Sequence, residues 1–162
     1  MVNITYLCGN ESLMDKIKPL WEQLNSHHFC VSPHFKDYYQ TLTFQDRKRA
    51  ILLRAAGGEV RVDLAFDEEV LVGYCVSSID KALTGEIDSI YVDVPYRMRG
   101  IGKVLMQSAL AWLNSLGAKK NIVSVAVGNE QAYSFYARFG FLPRRNCLNS
   151  RNRRVLNFSV NR

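Results

Sequence analysis

Segment 90–105 changes backbone character twice within a few residues, and that junction constrains the fold more than any other stretch. Ile90, Tyr91 and Val92 read as the end of an apolar strand. A turn follows that carries two glycines, Gly100 and Gly102, and three cations, Arg97, Arg99 and Lys103. An amphipathic helix then starts at once with Ile101, Val104 and Leu105. A strand delivered straight into a helix start calls for helices layered on a sheet. At such a junction several backbone N–H groups lack partners, and the positive end of the helix dipole lies behind them. Glycine leaves no side chain to bar close approach. The turn suits a polyanion.

Two familiar phosphate loops do not fit. The dinucleotide fingerprint needs a third glycine where Leu105 stands, and the Walker loop needs Ser or Thr where Val104 stands. What remains is R-x-x-G-x-G, formed by Arg97, Gly100 and Gly102, with Met98, Arg99, Ile101 and Lys103 in and around it. A second segment, residues 129–141, follows an apolar strand over 122–127. It reads as a short helix opened by an Asn129 cap and closed by Gly140. Its pattern is N-x-x-A-x-x-F-Y-x-x-x-G-F. In this order and spacing the two segments resemble the pyrophosphate loop and the post-strand-5 helix of the GNAT superfamily, the acyl-CoA-dependent N-acyltransferases. The resemblance covers about residues 60–143.

The chain has 162 residues, 48% of them hydrophobic, which suits one globular domain over 1–162. No run approaches a membrane span and no signal-peptide pattern opens the chain, so a cytoplasmic protein is expected. Cys8, Cys30, Cys75 and Cys147 lie far apart and read as reduced thiols. Cys30 has His27, His28 and His34 nearby, yet the set reads as surface, and no metal is assigned. The net charge of +6 is uneven. Residues 1–58 hold seven Lys/Arg against five Asp/Glu; residues 59–94 hold two against nine; residues 95–162 hold twelve against one. A basic C-terminal part suits nucleic acid or a phosphorylated cofactor, but no nucleic-acid motif accompanies it, so nucleic acid is disfavoured. The acidic middle favours a cationic amine.

Periodicity places a strand over 2–8, a helix over 11–25 interrupted at Pro19, and a second helix over 34–49. A hairpin follows with strands over 60–66 and 70–79, then a strand over 85–94 and a helix over 101–116 closed by Gly117. Alternation of Leu156, Phe158 and Val160 reads as a last strand. This strand-and-helix order is an α/β (α+β) layout. The resemblance implies a mixed, mostly antiparallel sheet of six to seven strands flanked by about four helices, splayed between strands 4 and 5. It also implies acetyl-CoA as cosubstrate, direct transfer to an amine without an acyl-enzyme, and a possible homodimer.

Acyl transfer to an amine requires removal of a proton from an ammonium with a pKa near ~10.4. A carboxylate can take that proton directly or through water. Glu86, eleven residues before Arg97, matches the offset of the general base in histone-type members. Asp88 shares its strand face and is a rival, as is a water chain. Tyr136 matches the family tyrosine that protonates the departing thiolate, with Tyr133 as its nearest substitute. Ser134 has no neighbouring base and is not a nucleophile. By resemblance, a bulge in the fourth strand near Val92 frees the amides of Ile90, Tyr91 and Val92 for the oxyanion and the pantetheine arm, and Asn129 also meets that arm. The acceptor is a small molecule or peptide amine, and a non-catalytic CoA-binding module is the alternative. The arginines 144, 145, 151, 153 and 154 match no motif.

Overall fold

The computed structural model describes residues 3–149. Five strands form one sheet in chain order: β1 (Ile4–Gly9), β2 (Glu59–Asp67), β3 (Val70–Ile79), β4 (Thr84–Val92) and β5 (Lys120–Val123). The first three pairings are antiparallel and β4–β5 is parallel. β3 lies at the centre, and Val72 through Ile79 are all buried, which explains its near-continuous apolar run.

Two apolar layers cover the sheet. On one face, α1 (Lys18–Val31) and α3 (Phe44–Arg54) set Leu20, Trp21, Phe44 and Ile51 against Val62, Leu64, Tyr74 and Val76. On the other, α4 (Ile101–Ser115) presents Ile101, Leu105, Ala109 and Leu113, one stripe at helical spacing, to Val72, Cys75 and Ile87. Phe135 and Tyr136 of α5 (Tyr133–Ala137) join this second layer.

Several expectations shift in detail. The break expected in the helix over 11–25 falls immediately before Pro19. A 3-10 helix spans Glu11–Ile17, and α1 begins at Lys18 with the proline in its first turn, where its missing N–H costs no bond. The helix expected over 34–49 is two, α2 (Lys36–Thr41) and α3, parted at Leu42 and Thr43. Thr43 and Asp46 form a reciprocal capping box that restarts the chain in a new direction. β5 ends at Val123 rather than Val127. Residues 130–137 divide into a 3-10 helix, Glu130–Ala132, and α5. The sheet has five strands among the described residues, not six or seven; the strand expected at 156–160 lies outside them.

Candidate functional site

The glycine turn is built by local rules. After β4, Asp93 caps a 3-10 turn, Val94–Tyr96, by accepting from Val94 N–H at 2.8 Å. Arg97 is extended, and Met98 (φ 60°) and Gly100 (φ 83°) are left-handed. Gly100 is the N-cap of α4, and its carbonyl accepts from Val104 N–H at 3.1 Å. The N–H groups of Ile101, Gly102 and Lys103 precede that first bond and lack intrahelical partners. A methyl on Gly100 would meet nothing within 4 Å. On Gly102 it would meet Phe135 at 3.5 Å and Val92 at 3.7 Å, both ordinary contacts. Packing alone therefore does not demand glycine at 102, whereas close approach of a pyrophosphate would. Arg97 Nε donates to Val92 O at 2.9 Å, and its guanidinium lies 5.2 Å from the Tyr91 ring centroid. Arg99 lies over Tyr96 in the same way, at 5.6 Å.

The sheet opens beside this turn. β4 and β5 pair from Thr84–Lys120 to Ile87–Val123 and no further, although β4 continues to Val92. Asp93 N–H donates to Val72 O, which sets the phase of the β3–β4 ladder. By antiparallel alternation Tyr91 turns its N–H and C=O to β3, while Ile90 and Val92 turn theirs to the open side. The bulge expected near Val92 lies earlier. Val76 pairs with Ser89 and Ser77 with Ile87, so Asp88 is the extra residue.

A cavity of about 270 Å³ occupies the opening. Trp21, Asn25 and His28 of α1, Tyr39 of α2 and Arg47 of α3 wall one side. Asp88 and Ile90 of β4, residues 123–126, Asn129 and Tyr136 complete it. Tyr136 packs on Phe135 and Phe141, and burial, with Cys75 nearby, pushes its phenol up to about 12, so it is protonated at neutral pH. Phe135, the neighbour of Tyr136 on α5, packs beside Gly102 at the start of α4. Asn129 stands at the cap position but makes no side-chain cap. Its Oδ1 lies 3.2 Å from His27 Nε2, and Glu130 instead accepts from Gly128 N–H at 2.8 Å. Tyr133 is exposed, and Ser134 Oγ donates to Gln131 O.

The sequence profile described as the Acetyltransferase (GNAT) family matches residues 17–141. The chain belongs to that family. An uncharacterised N-acetyltransferase of Methanocaldococcus jannaschii is 38% identical over 66 residues, 41% of this chain and 29% of that protein. N-alpha-acetyltransferase 30 of Schizosaccharomyces pombe is 32% identical over 82 residues, 48% of this chain and 55% of that protein. The chain thus matches well under two thirds of either relative's length. Among solved structures, a GCN5-related N-acetyltransferase from Ralstonia eutropha superposes with a TM-score of 0.71 at 18% identity, over 91% of this chain and 98% of that one. The aminoglycoside acetyltransferase AAC(6')-Iy, solved with a CoA-S-monomethyl-acetylneamine bisubstrate analogue, gives 0.62 at 18% identity, over 93% and 99%.

In this GNAT domain the two candidate carboxylates converge on one cation, Arg54. Its Nε lies 3.0 Å from Glu86 Oε2, an ion pair off the line that a hydrogen bond needs. Its Nη2 donates to Asp88 Oδ1 and Oδ2 at 3.1 and 3.2 Å and also contacts Ser78 Oγ, which donates to Asp88. Burial first, then the charge of Asp88, raises the Glu86 pKa; burial raises that of Asp88 against the pull of Ser78 and Arg54. Asp88 borders the cavity and Glu86 does not. Arg47 Nη2 donates to the Asp88 carbonyl, which pins the bulge. The sequence reading missed Arg47 and Arg54. The available signal was their spacing of seven, two helical turns, which sets both on one face of α3. Among the described residues no three His, Cys, Asp or Glu are placed to share a metal ion, and no helix is long and apolar enough to cross a membrane.

Proposed function

We propose that this GNAT protein moves an acetyl group from acetyl-CoA to a primary amine by direct attack within a ternary complex, in the cytoplasm. One observation carries the reading. The glycine turn follows directly on β4, and Ile90 of that strand borders the cavity together with Tyr136. The N–H groups of Ile101, Gly102 and Lys103, with Arg97, Met98, Arg99 and Gly100 around them, hold the pyrophosphate. Ile90 and Val92 present backbone groups to the pantetheine arm and to the developing oxyanion; such donors contribute about 2.7–4 kcal/mol each at other acyl-transfer sites. Tyr91 contributes its ring beneath Arg97 rather than its amide. Asn129, held by His27, borders the arm's path.

The amine nitrogen attacks the thioester carbon, the C–S bond breaks, and Tyr136 donates its proton to the departing sulfur. The proton lost from the amine passes through water to the Asp88–Glu86 pair. Asp88 stands nearest the cavity, and the shared Arg54 orients both carboxylates. Their raised pKa values make them better proton acceptors than solvated carboxylates. The match to a protein solved with a CoA bisubstrate analogue supports the cosubstrate.

The test is thiol release from acetyl-CoA against an amine panel. Tyr136→Phe should lower kcat about 10²-fold or more while leaving the KM for acetyl-CoA within a few-fold. Full turnover by that variant would remove Tyr136 from the mechanism. Tight CoA binding by the wild type with no transfer to any amine or peptide would favour a non-catalytic CoA-binding module.

A further inference from the structure

The acidic segment 59–94 led to the expectation of a cationic acceptor, but the cavity does not display that charge. The carboxylate at its wall, Asp88, is held by Arg54 and Ser78, and its side chain is 2% exposed. The guanidinium at the wall, Arg47, forms no direct ion pair among the described residues; its Nη2 donates to the Asp88 carbonyl, and its charge acts on the Asp88 and Glu86 carboxylates only from a distance. Residues 131–162 contain neither Asp nor Glu, so their side chains cannot supply a partner carboxylate. His28 adds no charge, since burial, with His27 and Arg47 beside it, lowers it to about 4. The rest of this side is uncharged: Trp21, Leu24, Asn25, Tyr38, Tyr39 and Leu42. About 270 Å³ is at the small end for a ligand site.

We infer that the acceptor is a small amine bearing a carboxylate, an α-amino acid with an apolar or aromatic side chain, whose carboxylate pairs with Arg47. The inference rests on the transferase reading above and names its substrate class. Guanidinium is suited to this task because it binds a carboxylate with two parallel N–H bonds. Its link to the Asp88 carbonyl sets it beside the bulge of β4. An α-amino acid separates amine and carboxylate by one carbon, so the carboxylate on Arg47 leaves the amine close to Asp88 and the open edge at Ile90. The aromatic side chains then meet the substrate's own. A polyamine or an aminoglycoside would instead bring several cations against the Arg47 guanidinium.

The test compares L-phenylalanine, L-phenylalaninamide, 2-phenylethylamine, spermidine and neamine in the thiol-release assay with saturating acetyl-CoA. The expected result is a KM for L-phenylalanine roughly ten- to a hundredfold below that for the amide, the range a charge-assisted hydrogen bond supplies. Arg47→Gln should collapse that ratio to within about threefold, and Arg47→Lys should restore part of it. Thermal denaturation of both variants checks that they fold. Equal or better use of the amide, the arylalkylamine or the polycations overturns the inference and leaves the transferase reading standing. An unchanged acid-to-amide ratio in folded Arg47→Gln overturns the role of Arg47. Failure of all five acceptors overturns the inference; the transferase reading falls with it only if the wider panel of amines and peptides fails as well.

Discussion

Arg54→Met tests whether the carboxylate pair on β4 is held as the geometry indicates. The substitution keeps an unbranched apolar stem but removes the cation that touches both Glu86 and Asp88. Their side chains are 12% and 2% exposed, so each would remain desolvated with its nearest counter-charge gone. Breaking a buried pair costs about 3–5 kcal/mol. Arg54 is itself 29% exposed, so water screens part of the field and the lower end, about 3 kcal/mol, applies. At about 2–4 °C per kcal/mol for a chain of this size, Tm should fall by roughly 6–12 °C at pH 8. The pH dependence is the sharper test. Both folded-state pKa values already lie above the ordinary range. The stability these groups contribute is therefore full below the unfolded values near ~4 and is lost as pH rises through the folded ones. Without Arg54 the folded values climb further, so the variant's deficit should be largest at pH 8. It should shrink toward pH 4–5 to about 1 kcal/mol, the residue of the lost hydrogen bonds. Thermal or urea denaturation of wild type and variant between pH 4.5 and 8 measures this. A deficit independent of pH, or one below about 1 kcal/mol at pH 8, would show that these carboxylates are not desolvated and that their raised proton affinity is not available to catalysis.

The glycine turn separates binding from folding. Gly102→Ala should leave stability unchanged or raise it by up to about 1 kcal/mol, because the methyl meets only ordinary contacts. The KM for acetyl-CoA should nonetheless rise about tenfold or more, a loss of about 1.4 kcal/mol; an unchanged KM would mean the phosphate lies elsewhere. Gly100→Ala should cost about 1–2 kcal/mol in a melting experiment despite open space around it, since the strain lies in its φ of 83°. Thr43→Ala should lower stability by about 1 kcal/mol through loss of the α3 cap. No change in its melting curve would mean that packing of Phe44, not the capping box, fixes the break after α2.

Those features that depend on backbone chemistry were legible in the sequence. Paired glycines beside a strand end, the alternation of residues 60–66 and the Gly117 stop each follow from local rules, and each element stands within a few residues of its expected place. Long-range competition explains what was displaced. Asn129 is a good cap by type, but His27, a hundred residues away in sequence, meets its side chain, and Glu130 takes over the turn. The bulge falls at Asp88 because the carboxylate is drawn to Arg54 and Ser78 and the carbonyl to Arg47, partners that no local pattern on β4 reveals. The continuous helix expected over 34–49 ignored the Thr43-x-x-Asp46 cap, a signal that was present and readable.

The charge tally and the cavity point to different acceptors for a related reason. Counting acids over 59–94 describes the far field of that segment, but a ligand in a cavity responds to groups that remain unpaired. Asp63 is bound by Arg61 and Ser108, Asp67 by the Tyr96 hydroxyl, and Asp80 accepts from Thr84 N–H. Glu86 and Asp88 share Arg54. With Asp93, which accepts from Val94 N–H, six acids of the segment are thus engaged within the fold, and only one of those six, Asp88, borders the cavity. Arg47 lies in the segment whose charges nearly cancel, yet its guanidinium stands at the cavity wall without a direct ion pair among the described residues. On the inference drawn above, the sign of the acceptor's second charge follows from the pairing of side chains and not from their number, and it is opposite to the sign that the number suggests.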